Sequence, residues 1–572
     1  MSMKFFKRLI DGLNEKRGVS FSEDDEEKTF SGRIRLENGS EVDLKIVFPS
    51  LFPLKLPVFY VKTNGLEYLH TDSTGKMCLF EESSILLNQN DELGILLECF
   101  DKALWILSIS RKSMEYQSEI KREFDAYWSS ISKWNVYSSI DTDSISYSEK
   151  IISCVENKYI LTESKDDGKF LLYNYFNVNR KAEFFSKECL IVRLRANSSL
   201  PKIAEVKWRD IRNYITSNIS SSHKRRFKDY CKTKIKKTTK YIILVLPSDR
   251  GDILFGYQIN VRNKRYIRFD NCINAEVEPL YITRIDKEYL LERAGTDSDI
   301  HEKKVLLLGC GSVGGFIAEN MCAAGIGSLD LLDDDVFRTE NVHRHLLGID
   351  AALVKPSKNK ADILKEKLEE KYLHTDIDPL NFKDRSAECF ISDIKRLEHY
   401  DLIVSALGEP TLNLEINKLL YENHLRVPFV ICFNEPYGIG GHVIICNITR
   451  NSCLRCLYTD IISSDLVEYR GSFVESGQSF KKNISGCGGA FVPYSRLDSQ
   501  QTAIVATRLI IDALKGKVTE NTVKSWVGEK NQLKDAGKKE SNYYNGQTPG
   551  SIVAMHIENN SNCPICGEKN GY

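Results

Sequence analysis

The sequence of 572 residues lacks any apolar run near the ~20 residues that a membrane-spanning helix needs. Its first residues, MSMKFFKRLIDGL, break every apolar stretch with charges, so no signal peptide is predicted. It also lacks an excess of one charge, because 79 Lys and Arg residues balance 79 Asp and Glu residues. General binding to nucleic acids or membrane surfaces depends on a basic excess, so both are disfavoured. We expect a soluble, cytoplasmic protein with no membrane contact and no specific nucleic-acid partner.

Cysteine is not scarce, but its 16 residues are spread over a chain too long for a small disulfide-stapled secreted scaffold. In a reducing compartment they are core residues, metal ligands or nucleophiles. Single hydrophobic cores rarely exceed ~250–300 residues, so the length predicts several domains. We place them at 1–130, 131–290 and 291–572, in a multidomain protein of α/β and α+β class.

The most informative segment starts at Lys304 and reads KVLLLGCGSVGG. An apolar run meets the glycines Gly309, Gly311 and Gly314, a helical pattern follows, and a second apolar run stops at Asp333. This order is typical of a nucleotide-binding β-α-β unit, because glycines admit phosphate and the helix N-terminus favours negative charge. The acid at the second strand accepts hydrogen bonds from ribose hydroxyls.

Polar and cationic residues follow that acid, namely Asp335, Asn341, Arg344, Lys358 and Lys360. A hydride-transfer enzyme does not need such a set. An enzyme that splits ATP between the α- and β-phosphates does, because fixed cations stabilise the charge on the departing pyrophosphate. The combined pattern resembles the ThiF/MoeB superfamily, which includes the ubiquitin-activating enzymes. The resemblance covers roughly the last half of the chain. It implies a Rossmann-like domain that uses ATP and Mg²⁺ to adenylate the C-terminal carboxylate of a ubiquitin-like protein.

The resemblance also implies roles for individual residues. The three glycines form the nucleotide loop, Asp333 holds the ribose, and Asn341 and Arg344 contact the phosphates. Of the two lysines, Lys360 aligns best with the family lysine, and Lys358 is the alternative.

Two further positions concern partners and metal. Arg293 resembles an arginine that the family lends to the nucleotide site across a dimer, so we expect a homodimer. Gly408 stands where the family usually has a magnesium-binding aspartate. Glu409 and Asp335 are the alternative acids, unless metal use differs here.

The segment 1–130 has another order: an amphipathic helix, strand-like runs, a proline-rich exit, the stretch HTDSTGKMCL and then helices. It resembles a ubiquitin-conjugating (UBC-like) α+β domain, whose cysteine carries ubiquitin as a thioester and passes it to a lysine. Cys78 stands at that position; the alternative is a buried core cysteine. The family motif His-Pro-Asn is replaced by His70, Thr71 and Asp72, so the asparagine that stabilises the oxyanion is missing.

Two Cys-x2-Cys pairs occur in the carboxyl-terminal third: Cys453 with Cys456, and Cys563 with Cys566. Two such pairs favour a structural Zn²⁺ site, with redox dithiols and unrelated core cysteines as alternatives.

A further cysteine, Cys487, lies between glycines after a polar stretch from about 461 to 483. We interpret that stretch as a crossing loop. In thioester-forming activating enzymes the nucleophile occupies such a segment, which makes Cys487 the second candidate nucleophile. The alternative is a packing cysteine at a tight turn.

The middle segment 131–290 carries no readable motif. Strand-like runs alternate with polar helical stretches, which predicts a mixed α/β linker or docking module. Its basic run from His223 to Lys240 is either a solvated helix face or a surface for an acidic or nucleic-acid partner.

The joining of a conjugating module to an activating module resembles the bacterial anti-phage (CBASS) conjugation proteins. The resemblance implies that the cargo is the C-terminus of a cGAS-like nucleotidyltransferase, attached to acceptor lysines on target proteins. The expected path is adenylation, a thioester on Cys487, a thioester on Cys78 and an isopeptide bond. Two alternatives stay open: MoeB- or ThiF-like adenylation for sulfur transfer, which does not need Cys78, and a non-catalytic nucleotide-binding scaffold.

Overall fold

The structure, a computed structural model, divides into two compact units, residues 1–286 and residues 287–572. It describes residues 2–26, 28–36, 39–62, 70–72, 74–80, 85–109, 114–143, 145–201, 207–249, 251–296, 298–354, 358–380, 387, 394–460, 467–483 and 490–567. No helix within these ranges has both the length and the apolar composition needed to cross a bilayer.

The first unit opens with an antiparallel sheet in the strand order β1-β2-β3-β4, packed against helices. Its elements are α1 (Met3–Arg17), β1 (Phe21–Glu23), β2 (Thr29–Arg35), β3 (Glu41–Val47), β4 (Val58–Val61), α2 (Glu92–Ser108) and α3 (Met114–Ile131). Helix α1 buries residues spaced three and four apart: Phe6, Leu9, Ile10 and Leu13. Strand β3 alternates buried and less buried residues. One apolar core therefore joins the sheet to α1 and α2.

The middle of the chain closes into a barrel, in the strand order β10-β11-β13-β5-β7-β6-β8. The elements are β5 (Trp134–Ser138), β6 (Tyr147–Val155), β7 (Lys158–Thr162), α4 (Lys165–Tyr175), β8 (Phe185–Arg193), α5 (Trp208–Asn218), α6 (Ser221–Lys232), β9 (Lys234–Ile235), β10 (Thr238–Leu246), β11 (Ile253–Val261), β12 (Ile267–Arg268) and β13 (Glu276–Arg284). The sequence indicated mixed α/β structure here but not the closure, which depends on pairings between distant strands.

Alternating residues of the barrel strands build two apolar layers. One fills the interior and includes Val136, Ile191 and Ile243, which are almost fully buried. The other lies outside, where Leu190 and Phe255 pack under the helices α3, α5 and α6. Closure leaves no free edge among the barrel strands, and the covering helices fix the positions of their side chains.

The second unit is built on one large sheet. Its elements are α7 (Lys287–Arg293), β14 (Lys304–Leu308), α8 (Gly314–Ala323), β15 (Ser328–Leu332), α9 (Ile349–Val354), α10 (Lys360–Glu369), β16 (Asp376–Pro379), β17 (Leu402–Ser405), α11 (Pro410–Glu422), β18 (Phe429–Asn434), β19 (Gly440–Cys446), β20 (Tyr458–Asp460), β21 (Val467–Tyr469), β22 (Lys482–Asn483), β23 (Ala490–Phe491), α12 (Arg496–Leu514), β24 (Thr522–Val527), α13 (Asn531–Asp535), α14 (Asn542–Asn545) and β25 (Ile552–His556).

The strand order of this sheet is β16-β15-β14-β17-β18-β19-β24-β25. The first five strands pair in parallel and the last three join antiparallel. The chain leaves β14 towards β15 on one side of this strand, and the neighbour of β14 on the other side is β17. The strand order therefore reverses between β14 and β17, which makes their carboxyl ends a topological switch point. Ligands of open α/β sheets bind at the carboxyl ends of the strands at such a point.

Candidate functional site

A cleft of about 560 Å³ in the first unit and one of about 620 Å³ in the second are lined by several of the residues that the sequence singles out. The second cleft opens at the switch point of the large sheet. Six of the predicted residues line it: Gly311, Asp335, Asn341, Arg344, Lys360 and Gly408.

The glycines of the loop after β14 are required by close backbone contacts. A side chain at Gly314 would place its Cβ 1.9 Å from the carbonyl oxygen of Gly309. Gly309 itself has φ +89° and lies against the backbone of Ala406, which follows β17. Gly311 has open space where a Cβ would be, on the side of the cleft. The loop is therefore pressed between strand and helix, with one face open to a ligand.

Asp333 holds the loop. Its carboxylate accepts hydrogen bonds from the backbone N–H groups of Cys310 at 2.6 Å and Asp335 at 2.8 Å. Burial raises the pKa of this carboxyl, against the opposing effects of Lys360 and the two amides. Among the described residues that line the cleft, the acid is Asp335 rather than Asp333.

The two candidate lysines lie in different surroundings. Asn359 caps α10 by accepting a hydrogen bond from the N–H of Ala361 at 2.8 Å, and it donates to the carbonyl of Asp333 at 2.6 Å. This cap turns Lys360 into the cleft, where its Nζ lies 2.6 Å from Asp335 Oδ2. Lys358 instead pairs with Glu366 on α10 at 2.5 Å and does not line the cleft.

The Lys360 side chain is only 9% exposed, whereas that of Asp335 is 72% exposed. A buried ammonium needs a partner, and one carboxylate provides it. The pair thus presents a cation and an acid to the same cleft.

The remaining predicted residues are less enclosed. Asn341 accepts a hydrogen bond from the N–H of Arg338 at 3.0 Å and so caps the short helix that carries Arg344. Gly408 has φ +70° and offers no carboxylate. Arg293 is exposed at the end of α7 and is not among the residues that line this cleft.

His345 lines the same cleft, at a position that the sequence did not single out. Its Nδ1 accepts a hydrogen bond from the N–H of Leu347 at 3.0 Å, so its Nε2 carries the proton and donates to Cys310 O at 2.6 Å. Burial lowers the pKa of His345 to about 4, and the nearby cations Lys360, Arg496 and Arg344 act in the same direction. The neutral imidazole of His345 therefore holds the glycine loop in place through the carbonyl oxygen of Cys310.

The lining of the cleft also includes apolar and aromatic residues, namely Phe433, Tyr458, Val467, Tyr469 and Phe491. Cys487 belongs to 484–489, which lies outside the described residues.

The four cysteines of the two Cys-x2-Cys pairs come together although 110 residues separate the partners. The Sγ atoms of Cys453 and Cys563 lie 3.7 Å apart, and those of Cys456 and Cys566 lie 3.3 Å apart. All four sulfur atoms fall within 4.8 Å of one another. Ligands of a tetrahedral zinc ion with Zn–S bonds of ~2.3 Å lie about 3.8 Å apart, so the cluster fits one ion.

In the first unit, Cys78 is exposed and lines the cleft of about 560 Å³. It is therefore not the buried core cysteine of the alternative interpretation. Its N–H donates to His70 O at 2.7 Å, and Thr71 pairs with Met77 as an isolated bridge. These contacts fold the stretch from His70 to Cys78 back on itself and bring both ends to the cleft.

Asp72 is used within that turn. Its Oδ1 accepts hydrogen bonds from the N–H and hydroxyl of Thr74, at 2.8 and 2.6 Å, and from the N–H of Lys76 at 3.1 Å. Burial alone would raise the pKa of Asp72, but the hydrogen bonds from Thr74 and Lys76 hold it below its ordinary value. As an ionised acceptor, Asp72 has no proton to donate to an oxyanion.

Helix α3 adds an acid to the same cleft that the sequence did not indicate. Glu123 Oε1 lies 3.3 Å from Nδ1 of His70, and Glu123, Tyr127 and Ser130 all line the cleft. The contact joins residues 53 positions apart in the sequence, so no local pattern points to it.

Both clefts fall within matched families. Residues 14–136 match Prokaryotic E2 family B, and residues 286–520 match the ThiF family. The ATP-dependent ubiquitin transferase-like protein Cap2 of Pseudomonas aeruginosa (strain BWHPSA011 / Pa011) is 22% identical over 79% of this chain and 80% of its own length. Its namesake in Escherichia coli (strain TW11681) is 24% identical over 81% of this chain and 79% of its own length. The chain is a fusion of an E2-like domain and a ThiF-like domain.

A third relative matches the ThiF-like domain alone. It is the molybdopterin-synthase adenylyltransferase of Haemophilus influenzae, 29% identical over 26% of this chain and 58% of its own length.

The hydrogen bonds of His345 predict how acid affects the ThiF-like domain. Because the folded-state pKa of about 4 lies below the ordinary 6.5, the unfolded chain binds a proton that the folded chain does not as pH falls from 6.5 towards 4. Stability that is complete above pH 6.5 is thus lost in that window, by about 2 kcal/mol between pH 7 and pH 5. We expect His345→Gln to be less stable at pH 7 and to lose less stability on acidification, as measured by urea unfolding at both pH values. If the free energy of unfolding falls between pH 7 and pH 5 by the same amount in His345→Gln as in the unsubstituted chain, His345 is not held neutral.

Proposed function

We propose that this chain is an ATP-dependent activating and conjugating enzyme that attaches a protein C-terminus to a lysine. The observation that carries the proposal is the presence of two suitable centres in one chain. One is a nucleotide-type cleft that presents Lys360 and Asp335, and the other is a cleft with the exposed Cys78.

Adenylation takes place at the switch point of the ThiF-like domain. The open face of the glycine loop receives the phosphates of ATP, and Arg344, Asn341 and Lys360 stabilise the charge that develops on them. We assign the ribose to the tip of β15, beside Asp333. Asp335 is the carboxylate that would hold Mg²⁺, since position 408 provides none.

The activated acyl group then moves through two thioesters. The thiolate of Cys487 attacks the acyl adenylate, an S–C bond forms and AMP leaves. Phe491, four residues further along the chain, lines the nucleotide cleft, and four residues of backbone span at most about 14 Å. Transfer to the thiolate of Cys78 regenerates the first thiol, and a lysine amine finally displaces Cys78 to give an isopeptide bond.

The cargo is a protein with a free carboxyl terminus. The apolar and aromatic residues that line the cleft support this assignment, because they offer contacts to the last residues of a chain in the same cleft as the phosphate chemistry. In line with the resemblance to CBASS proteins, we propose a cGAS-like nucleotidyltransferase as cargo and anti-phage defence as the setting. Adenylation for sulfur transfer accounts less well for the chain, because it needs neither the E2-like domain nor an exposed Cys78.

We further propose that the ThiF-like domains pair as a homodimer. Helix α9, which follows the residues of the phosphate site, exposes Ile349, Leu353 and Val354 by 50%, 66% and 74%. An apolar face of this kind is typical of an interface. In the pair, Arg293 of one copy reaches the nucleotide of the other.

Zinc is assigned to the four-cysteine cluster. A closed set of four thiolates leaves no position for a substrate, so the ion is structural and fastens the carboxyl-terminal residues to the ThiF-like domain.

The relay predicts distinct covalent adducts. With ATP and the cargo, we expect intact mass spectrometry to show a thiol-sensitive adduct that persists in Cys78→Ala and is absent in Cys487→Ala. The isopeptide product requires both cysteines. An adduct that persists in the double variant would refute both assignments, and full product formation by Cys78→Ala would favour sulfur-transfer chemistry.

The two lysines give a matched pair of variants for the adenylation step. We expect Lys360→Met to reduce ATP–pyrophosphate exchange by roughly 10²–10³-fold, because a cation that faces the phosphates is lost. Lys358→Met removes an ion pair with Glu366 outside the cleft and leaves the exchange near the wild-type rate. The reverse order of effects would contradict the assignment of Lys360.

The zinc assignment predicts one zinc ion per chain in the purified protein, measured by elemental analysis. Cys563→Ser should lose the metal and lower the thermal midpoint, because a buried four-thiolate site is broken. Cys78→Ser, which changes an exposed cysteine, should retain the metal. Equal metal content in wild type and Cys563→Ser would rule out this cluster as the zinc site.

A further inference from the structure

Helix α3 connects two apolar cores of the first unit. Near its middle, Ile120 packs against the core of the E2-like domain. One and two turns later, Phe124 and Trp128 are fully buried against the barrel, with ring centroids 5.0 Å and 5.2 Å from that of Phe255. Trp128 also donates its indole N–H to Leu280 O in β13, at 2.8 Å. The barrel therefore fixes the position and rotation of this helix.

With the helix held in this orientation, another face of α3 lies towards the Cys78 cleft. Glu123 directly precedes the buried Phe124, and its carboxylate lies in the Cys78 cleft within 3.3 Å of Nδ1 of His70. The hydrogen bond with His70 lowers the pKa of the Glu123 carboxyl, in opposition to its burial. Glu123 is therefore an anion at neutral pH, beside an exposed thiol.

Among the described residues, the other charged groups that line this cleft are Asp72 and Lys76. Asp72 is occupied by the turn that it caps, through its bonds to Thr74 and Lys76. Of the two described carboxylates that line the cleft, Glu123 is thus the one that another element of the fold holds there. The E2-like domain also lacks the motif asparagine, so aminolysis has to be assisted by a different group.

We propose that Glu123, positioned by the barrel through α3, binds the ammonium group of the acceptor lysine and takes up its proton during aminolysis of the Cys78 thioester. This inference rests on the proposed function. It makes the middle domain part of the conjugation site.

The step balances as follows. The Glu123 carboxylate first takes one proton from the bound lysine ammonium, which frees the lone pair of the nitrogen. The nitrogen then bonds to the thioester carbonyl carbon as the C–S bond breaks, and the second N–H proton passes to the departing thiolate of Cys78, leaving an amide and a thiol. The Glu123 carboxyl group then returns its proton to water. His70 orients the carboxylate through its ring nitrogen and takes no part in bond formation.

The test uses the full chain with Cys487→Ala, in which Cys78 is acetylated with a small water-soluble acyl thioester. This loading requires neither ATP nor cargo, so it does not depend on the relay. The rates at which free lysine and hydroxylamine remove the acetyl group are then measured by intact mass spectrometry over a range of amine concentrations. Hydroxylamine is uncharged at neutral pH, so it has no ammonium group to bind or deprotonate.

We expect Glu123→Gln to slow the reaction with lysine by roughly 10²-fold, the lower end of what a positioned base contributes. The rate with hydroxylamine should change little, and Glu123→Asp should recover part of the lysine rate. The matched control is Asp125→Asn, which removes the same charge from the same helix at a position outside the cleft. It should match the unsubstituted chain with both amines.

An equal loss with both amines, or no loss with lysine, would overturn the assignment of Glu123. The same effect in Asp125→Asn would also overturn it, since any charge on α3 would then suffice. If chemically loaded Cys78 responds as expected but ATP and cargo never load it, the proposed function fails while the role of Glu123 stands.

Discussion

The nucleotide cleft depends on one steric constraint, the close contact between the start of helix α8 and the end of strand β14. No side chain fits at Gly314, because its Cβ would overlap the carbonyl oxygen of Gly309. Around this contact, side chains from outside the loop hold its backbone: Asp333 accepts from the N–H groups of Cys310 and Asp335, and His345 donates to the carbonyl oxygen of Cys310. These bonds hold the loop in position before a ligand arrives, and such preorganisation is what electrostatic catalysis requires.

The hydrogen bonds divide the residues of the site into those that hold the backbone and those that face the ligand. Asp333 and His345 hold backbone, whereas Asp335 and Lys360 point into the cleft. The E2-like domain shows the same division. Asp72 closes its own turn, and the carboxylate beside Cys78 is provided by Glu123 from a helix outside the motif. In both clefts an acid close to the expected position has a structural task, and another acid faces the open space.

Helix α3 links the barrel to the Cys78 cleft. A spacer would need only to link two catalytic domains, but α3 is buried on the barrel side by Phe124 and Trp128. A shift of this helix would move Glu123, because a rigid helix transmits displacement from one face to the other. Packing in the middle domain and the carboxylate in the Cys78 cleft are thus connected by less than one helical turn of chain.

The sequence by itself determined the features that depend on neighbouring residues. The glycine spacing, the strand-helix-strand order, the two Cys-x2-Cys pairs and the HTDSTGKMCL stretch are local patterns, and they predicted the Rossmann-like and E2-like domains. Only the tertiary structure decided what depends on distant contacts. It selected Lys360 over Lys358 for the cleft, joined cysteines 110 residues apart, closed the barrel and placed Glu123 beside His70. Two lysines that are two residues apart are not told apart by a local pattern, and a carboxylate on a helix has no partner until packing fixes the direction in which that helix faces.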